Sequence, residues 1–142
     1  MNFSVVPDTN VLISAYRSQN PKSPNKEFIA RWKNFEFDWL YTEDTLVEYV
    51  DKLGDFGVSL NEIEVFISLL ISTSTLVSIT FYHTPPYPID ADDISFLLCA
   101  ENGSASHLVT HDQHLLSLPP NRTFRICKTI SFLQDIRAYH KS

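Results

Sequence analysis

The sequence predicts an α/β fold, a three-layer α/β/α sandwich with a central parallel five-stranded sheet. Short apolar runs rich in β-branched residues alternate with segments of helical periodicity along the whole chain. The 142 residues are 44% hydrophobic and 20% charged, which suits one domain with a sizeable core. Because no repeat, low-complexity tract or linker is evident, we expect a single domain over residues 1–142. The predicted strands are residues 3–6, 37–41, 76–81, 107–110 and 123–127.

The first strand begins almost at the start of the sequence. Residues 3–6 are short and apolar, and Pro7, which lacks an N–H group, suits the exit of a strand. A helix opening at 11–16 follows directly. The segment 27–35 is predicted as a second helix, with three large residues on one face. These are Phe28, Ile29 and Trp32.

Two further helices follow the second predicted strand. Thr42 is a suitable N-cap, and Glu43 and Asp44 stand where acids favour a helix start. This helix is expected to end near Gly54 or Gly57. In the next helix Asn61 is the predicted cap, with Glu64 three residues later. The apolar stripe of that helix is Ile63, Phe66, Ile67, Leu70 and Ile71.

The last third of the chain alternates in the same way. Residues 93–102 are predicted as a helix that ends at Gly103. The strand 107–110 follows, and then the strand 123–127. Thr129 is expected to cap a last helix through about Tyr139.

Acidic residues follow two of the predicted strands. In parallel sheets of this kind ligands bind outside the carboxyl ends of the strands, where the strand order reverses. Asp8 and Asp112 come just after strands, and Asp93 opens a helix, so we expect all three at this edge. Carboxylates grouped there suit Mg²⁺, and metal ions can activate water and stabilise a phosphoryl displacement. A single Asp after a strand is more often only a turn former or a helix cap.

Composition and charge exclude several classes of protein. Cys99 and Cys127 are too few for a disulfide framework or a zinc finger and are predicted as small core residues. No apolar run is long enough to span a membrane, and no secretory signal is evident, so we expect a cytoplasmic protein. With 11 basic and 17 acidic residues the net charge is −6, which excludes nucleic-acid binding by bulk positive charge.

Four segments resemble the motifs of the PIN domain, especially the toxin-like PIN proteins of bacterial toxin–antitoxin pairs. Val5–Ala15 resembles the first motif, an acid after strand one followed by Thr-Asn. Thr42–Tyr49 resembles the helix that contains the conserved glutamate, here Glu48. Asp90–Leu97 and Leu108–Asp112 resemble the third and fourth motifs. The resemblance covers nearly the whole chain in the family's order.

The resemblance implies an Mg²⁺- or Mn²⁺-dependent ribonuclease that hydrolyses single-stranded RNA. It also implies an antitoxin protein as partner and allows a homodimer. The implied metal ligands and catalytic residues are Asp8, Glu48, Asp93 and Asp112. The expected orienting residues are Thr9, Asn10 and Thr110, for which local turn capping is the alternative.

The assignment of Glu48 leaves alternatives open. Glu43 or Asp44 could be the ligand instead. Glu48 could also be an exposed surface acid, or could close a capping box with Thr45 if the helix began later. The pair His111 and His114 is poor support for zinc, and we expect His111 at the rim of the site and His114 on the surface.

Basic residues concentrate after the first motif. Lys22, Lys26 and Arg31 are the candidate RNA-binding residues, and the aromatic residues near them are candidates for base stacking. These are Tyr16, Trp32 and Trp39. The alternative is a solvated helix face with aromatic residues in the core.

Two other functions compete with a nuclease. One is a non-catalytic PIN-like domain that binds RNA or protein. The other is an acidic α/β domain with an aspartate as phosphoryl acceptor, for which Lys128 is a poor match to the lysine required.

Overall fold

The strands form one parallel sheet of five, as predicted. A computed structural model of the chain describes residues 3–82, 92–120 and 123–141. The strands are β1 (Ser4–Pro7), β2 (Asp38–Tyr41), β3 (Thr75–Leu76), β4 (His107–Val109) and β5 (Arg125–Cys127). Their order in the sheet is β3-β2-β1-β4-β5, and every neighbouring pair is parallel.

Helices connect the strands and flank the sheet. They are α1 (Thr9–Arg17), α2 (Pro24–Lys33), α3 (Glu43–Asp55), α4 (Leu60–Thr73), α5 (Asp92–Asn102), α6 (Gln113–Leu116) and α7 (Thr129–Lys141). Strands β2 and β3 lie in sequence on one side of β1, and β4 and β5 lie in sequence on its other side. The strand order therefore reverses between β1 and β4, and a crevice is expected at their carboxyl ends.

Both faces of the central strands are covered. Val5 and Val6 of β1 are fully buried, as are Leu108 and Val109 of β4. Successive side chains of a strand point to opposite faces, so helices must cover the sheet on each side. Each such side chain stabilises the fold by about 1.5–3 kcal/mol through its removal from water. The two cysteines are also buried and unbonded, as predicted.

Strand β3 is shorter than the predicted 76–81. Its ladder continues only to the Val77 N–H group, which donates to the Tyr41 carbonyl at 2.7 Å. The N–H groups of Thr80 and Phe81 donate instead to the side-chain oxygen of Asn102, at 2.8 and 3.1 Å. A side-chain amide from α5 thus takes the place of the sheet partner, and the strand ends.

Helix ends differ from the prediction where another cap is better placed. Ser59, and not Asn61, caps α4, because its Oγ accepts from the Glu62 N–H group at 3.2 Å. Helix α2 begins at Pro24, three residues early, since proline is well suited to the first helical position. The short helix α6 was not predicted.

Helix α5 stops before Gly103, as predicted. A Cβ at that position would lie 2.9 Å from Leu40 Cδ1 and 2.9 Å from Val77 Cγ2. The helix end therefore packs so closely against β2 and Val77 that a larger residue at this position would force these side chains to shift. None of the helices within the described ranges is long and apolar enough to cross a membrane.

Candidate metal centre

Four carboxylates from four separate segments line one small cavity at the carboxyl edge of the sheet. Asp8 follows β1, Glu48 lies on α3, Asp93 is in the first turn of α5, and Asp112 follows β4. The cavity has a volume of about 190 Å³. The structure therefore brings together all four residues that the sequence predicted as ligands. The other described residues that line the cavity are Thr9, Asn10, Lys52 and Phe96.

Asp8 is the most constrained of the four acids. It caps α1, accepting from the Asn10 N–H group at 2.9 Å and from the Thr110 hydroxyl at 2.5 Å, and is only 4% exposed. Burial raises the pKa of Asp8, and the nearby Asp112 adds to this, while the two hydrogen bonds act in the opposite direction. An ionised Asp8 is therefore costly until a cation offsets its charge.

Thr110 connects two of the acids. Its fully buried hydroxyl donates to Asp8 Oδ2 and accepts from the Asp112 N–H group at 2.9 Å. One side chain at the end of β4 thus fixes the carboxylate that follows β1 and the backbone that presents Asp112. The contact with Asp8 is compatible with the orienting role expected of Thr110, the contact with the Asp112 N–H group is the local capping that was its alternative, and the orienting role stays a prediction.

Asp93 and Asp112 lie in direct contact. A hydrogen bond from the Asp93 side chain holds the pKa of Asp112 below its usual value, and the N–H group of His114 contributes in the same direction. Two carboxyl groups that share a hydrogen bond share a proton, so they titrate as a pair. A bound cation would occupy the place of that proton and allow both groups to ionise.

The structure separates Glu48 from the two alternatives on the same helix. Glu48 is half-buried and lines the carboxylate cavity, whereas Glu43 and Asp44 are exposed and line a different cavity. Helix α3 begins at Glu43 with a capping box between Thr42 and Thr45. A capping box between Thr45 and Glu48 is therefore excluded.

The other two predicted orienting residues also line the cavity. The backbone N–H group of Asn10 binds Asp8, and its side chain is exposed at the edge. Thr9 is buried, and its hydroxyl has no hydrogen-bond partner within the described part of the chain.

Lys52 was not among the predicted site residues. It lies one turn after Glu48 on α3 and lines the same cavity. The spacing of four residues was the available signal, because it puts both side chains on one face of a helix. Across residues 3–82, 92–120 and 123–141 no ion pair involves the Lys52 ammonium.

The predicted RNA-binding residues lie outside this cavity. Lys22 is exposed in the turn before α2, and Lys26 lines a separate cavity between α1 and α2. Arg31 forms ion pairs with Glu27, at 2.9 Å, and with Glu36. The charge of Arg31 is thus already compensated within the chain, and the role of all three in RNA binding stays a prediction.

The tryptophans near that segment belong to the core. Trp32 and Trp39 are buried, with ring centroids 4.6 Å apart. Neither is available to stack on a base, which agrees with the alternative that the sequence left open. Tyr16 is partly buried and lines the cavity beside Lys26.

The donor atoms at the carboxyl edge suit a divalent cation. Asp93, Asp112 and His114 each offer a ligand atom, and these three atoms lie within 4.8 Å of one another. Asp8 and Glu48 add carboxylates to the same cavity. Ions such as Mg²⁺ and Mn²⁺ prefer oxygen donors of this kind. Asp90 of the third motif lies outside the described residues.

The fold and the site together define the class: a parallel α/β domain with an acidic centre where the strand order reverses. The family model of the PIN domain matches residues 4–114, and the chain belongs to this family. PIN domains are generally nucleases and typically use divalent metal ions, so membership suggests nuclease activity at that level. Among curated proteins no match to the chain was found.

Proposed function

We propose that this protein is an endoribonuclease that hydrolyses phosphodiester bonds of single-stranded RNA with Mg²⁺ or Mn²⁺. The observation that supports this most directly is the convergence of Asp8, Glu48, Asp93 and Asp112 on one cavity at the point of strand-order reversal. These carboxylates would hold a divalent ion, which would supply a bound water of lowered pKa and positive charge for the phosphoryl oxygens.

The residues of the chain prepare the site for this chemistry. The two hydrogen bonds to Asp8 fix the direction of its carboxylate, which a ligand must keep when the ion binds. Asp93 and Asp112 are in contact, and both carboxyl groups would ionise if a cation took the place of the proton between them. Each would then offer an oxygen ligand. On the α3 wall, Lys52 offers a cation to a phosphate of the RNA backbone.

The test is cleavage of a labelled single-stranded RNA by the full chain. Wild-type protein should cleave with Mg²⁺ or Mn²⁺ and stop when a chelator is added. Asp8→Asn and Asp93→Asn should each lower the rate at least about 100-fold, because each removes a charged ligand of the ion. If both variants cleave as fast as the wild type, the metal centre is elsewhere.

A matched pair on α3 tests the choice of glutamate. Glu48→Gln should lower the cleavage rate strongly, while Glu43→Gln, on the same helix but in another cavity, should leave it within about twofold. The reverse result would transfer the ligand role to Glu43.

The competing function is a non-catalytic PIN-like domain that binds RNA or protein. It would be favoured if a folded wild-type protein bound RNA but neither cleaved it nor bound divalent ions. The presence of acids at all four family positions favours the nuclease.

We further propose that the protein acts in the cytoplasm as the toxin of a toxin–antitoxin pair, with a protein antitoxin as partner and a homodimer as a possible form. This rests on the motifs of Val5–Ala15 and Leu108–Asp112, which resemble the toxin-like members. Expression of the wild type should arrest growth in a bacterial host, and expression of Asp93→Asn at the same level should not.

A further inference from the structure

His114 lies beside the carboxylate cavity, in the first turn of the short helix α6. Its Nδ1 atom is 3.6 Å from Asp112 Oδ1, and its backbone N–H group donates to the same oxygen at 2.8 Å. The side chain is 49% exposed, so the ring is accessible from solvent. The position of His114 is set by the turn that presents Asp112.

The geometry of three side chains fits a single ion. One ligand atom each from Asp93, Asp112 and His114 lies within 4.8 Å of the other two. In an octahedral complex with bonds of about 2.1 Å, ligand atoms are separated by about 3.0 Å in cis and about 4.2 Å in trans. Three atoms no more than 4.8 Å apart are therefore close to the spacing that one coordination sphere requires.

We propose that His114 is a nitrogen ligand of the divalent ion at this centre, and that the centre therefore prefers Mn²⁺ to Mg²⁺. The proposal rests on the metal centre of the proposed function and adds a donor of a different kind to it. Mg²⁺ takes oxygen ligands almost exclusively, whereas imidazole nitrogen favours transition-metal ions. An all-carboxylate centre would not discriminate in this way.

The other histidine of the pair provides the matched control. His111 Nε2 lies 3.2 Å from Thr129 Oγ1 and 3.4 Å from Asn25 Oδ1, so this nitrogen is already engaged by neighbours on α7 and α2. His111 is also close to the centre, since the charge of Asp8 acts on its ring. Replacement of His111 thus tests for general effects of losing an imidazole near the cavity.

Pulsed electron paramagnetic resonance of the Mn²⁺-loaded full chain tests the proposal, because a bound nitrogen-14 nucleus modulates the electron spin echo. The wild type and His111→Gln should show this modulation, and His114→Gln should lose it. The Mn²⁺ affinity of His114→Gln should fall at least about 10-fold, with a change below about twofold for Mg²⁺.

The outcomes distinguish failure of the His114 ligand from failure of the carboxylate centre. Bound Mn²⁺ without nitrogen modulation in the wild type, or with modulation that persists in His114→Gln, overturns the role of His114 and leaves the carboxylate centre standing. A folded wild type that binds no Mn²⁺ overturns the centre itself and the role of His114 with it.

Discussion

At the scale of single residues, Asp8 has two roles that the sequence presented as alternatives. It is the N-cap of α1, which is the ordinary role of an Asp after a strand, and it also lines the carboxylate cavity. The cap uses Oδ1, and Thr110 binds Oδ2. Since a carboxylate oxygen has more than one lone pair, both roles are compatible. Local capping therefore explains the position of Asp8 without excluding a functional role.

Asp8→Asn should increase the free energy of unfolding at pH 7, in the absence of divalent ions, by about 1 kcal/mol. Burial raises the pKa of Asp8, so an ionised carboxylate there is less stable in the folded than in the unfolded chain. When the pKa of an acid is higher in the folded than in the unfolded chain, the acid stabilises the fold at low pH. This contribution is lost as the pH rises through the folded-state pKa. Urea unfolding in the presence of a chelator measures the difference.

The control for this prediction is Asp51→Asn, an exposed acid on α3, which should change stability by less than about 0.5 kcal/mol. Saturating Mn²⁺ should stabilise the wild type and have a smaller effect on Asp8→Asn, because a ligand that binds only the folded state stabilises it. A less stable Asp8→Asn in chelator would mean that its hydrogen bonds outweigh its burial.

At the scale of elements, α3 shows why part of the site could be predicted and part could not. The helix buries Tyr49 and Leu53 and turns Glu48 and Lys52 to the cavity. The cap follows from local sequence, because capping acts over a few residues, whereas Glu48 was identified by the resemblance of Thr42–Tyr49 to the PIN motif. That Lys52 lines the cavity depends on which strand ends lie opposite α3, and this is a property of the sheet order.

The same distinction explains the errors in element ends. β1, β2 and β4 are apolar runs buried on both faces, and their positions were predicted closely. The prediction extended β3 to Phe81, but the N–H groups of Thr80 and Phe81 bind the side chain of Asn102, more than twenty residues away in sequence. Local propensity contains no information about such a contact.

Lys52→Gln should weaken binding of single-stranded RNA and reduce its salt dependence. Loss of one phosphate contact is expected to lower the slope of log affinity against log salt by about 0.7. Binding is measured with Ca²⁺ in place of Mn²⁺ at a series of salt concentrations. Arg137→Gln removes one positive charge from an exposed position on α7, where Glu27 already compensates it, and should leave the slope unchanged. Equal slopes for both variants would direct the RNA path away from α3.

A second cluster of charged groups lies at the opposite, amino edge of the sheet. The ring of the buried His107 on β4 contacts Ser106 Oγ at 2.8 Å and Asp135 Oδ2 of α7 at 2.9 Å. Arg125 of β5 binds the same Asp135 oxygen at 2.6 Å. Burial lowers the pKa of His107, although the Asp135 carboxylate partly opposes this. The cluster ties α7 to two strands.

This cluster should make the fold sensitive to acid. The pKa of His107 is lower in the folded chain than its ordinary value of 6.5, so its contribution to stability is complete above that value. The contribution is lost as the pH falls through the folded-state pKa. Between pH 7 and pH 5, the free energy of unfolding measured with urea should fall by about 1 kcal/mol less in His107→Gln than in the wild type. Identical losses in the two proteins would show that other groups determine the acid sensitivity.

At the scale of the whole molecule, the net charge of −6 has a local explanation. Four of the seventeen acids line one cavity, where bound cations would offset them. The charge balance excludes a protein that binds nucleic acid by bulk positive charge, and it is compatible with one that holds a phosphodiester through metal ions. The motif order predicted this centre, but the placement of His114 beside Asp93 required the fold.

Titration calorimetry with Mn²⁺ decides whether the carboxyl edge of the sheet is a divalent-metal centre. The wild-type chain should bind Mn²⁺, and Asp93→Asn should bind at least about 10-fold more weakly, since it loses a charged ligand. Glu43→Gln, which lies in another cavity, should bind like the wild type. A folded wild type that binds no Mn²⁺, or an Asp93→Asn variant of unchanged affinity, would show that these carboxylates do not form a metal centre.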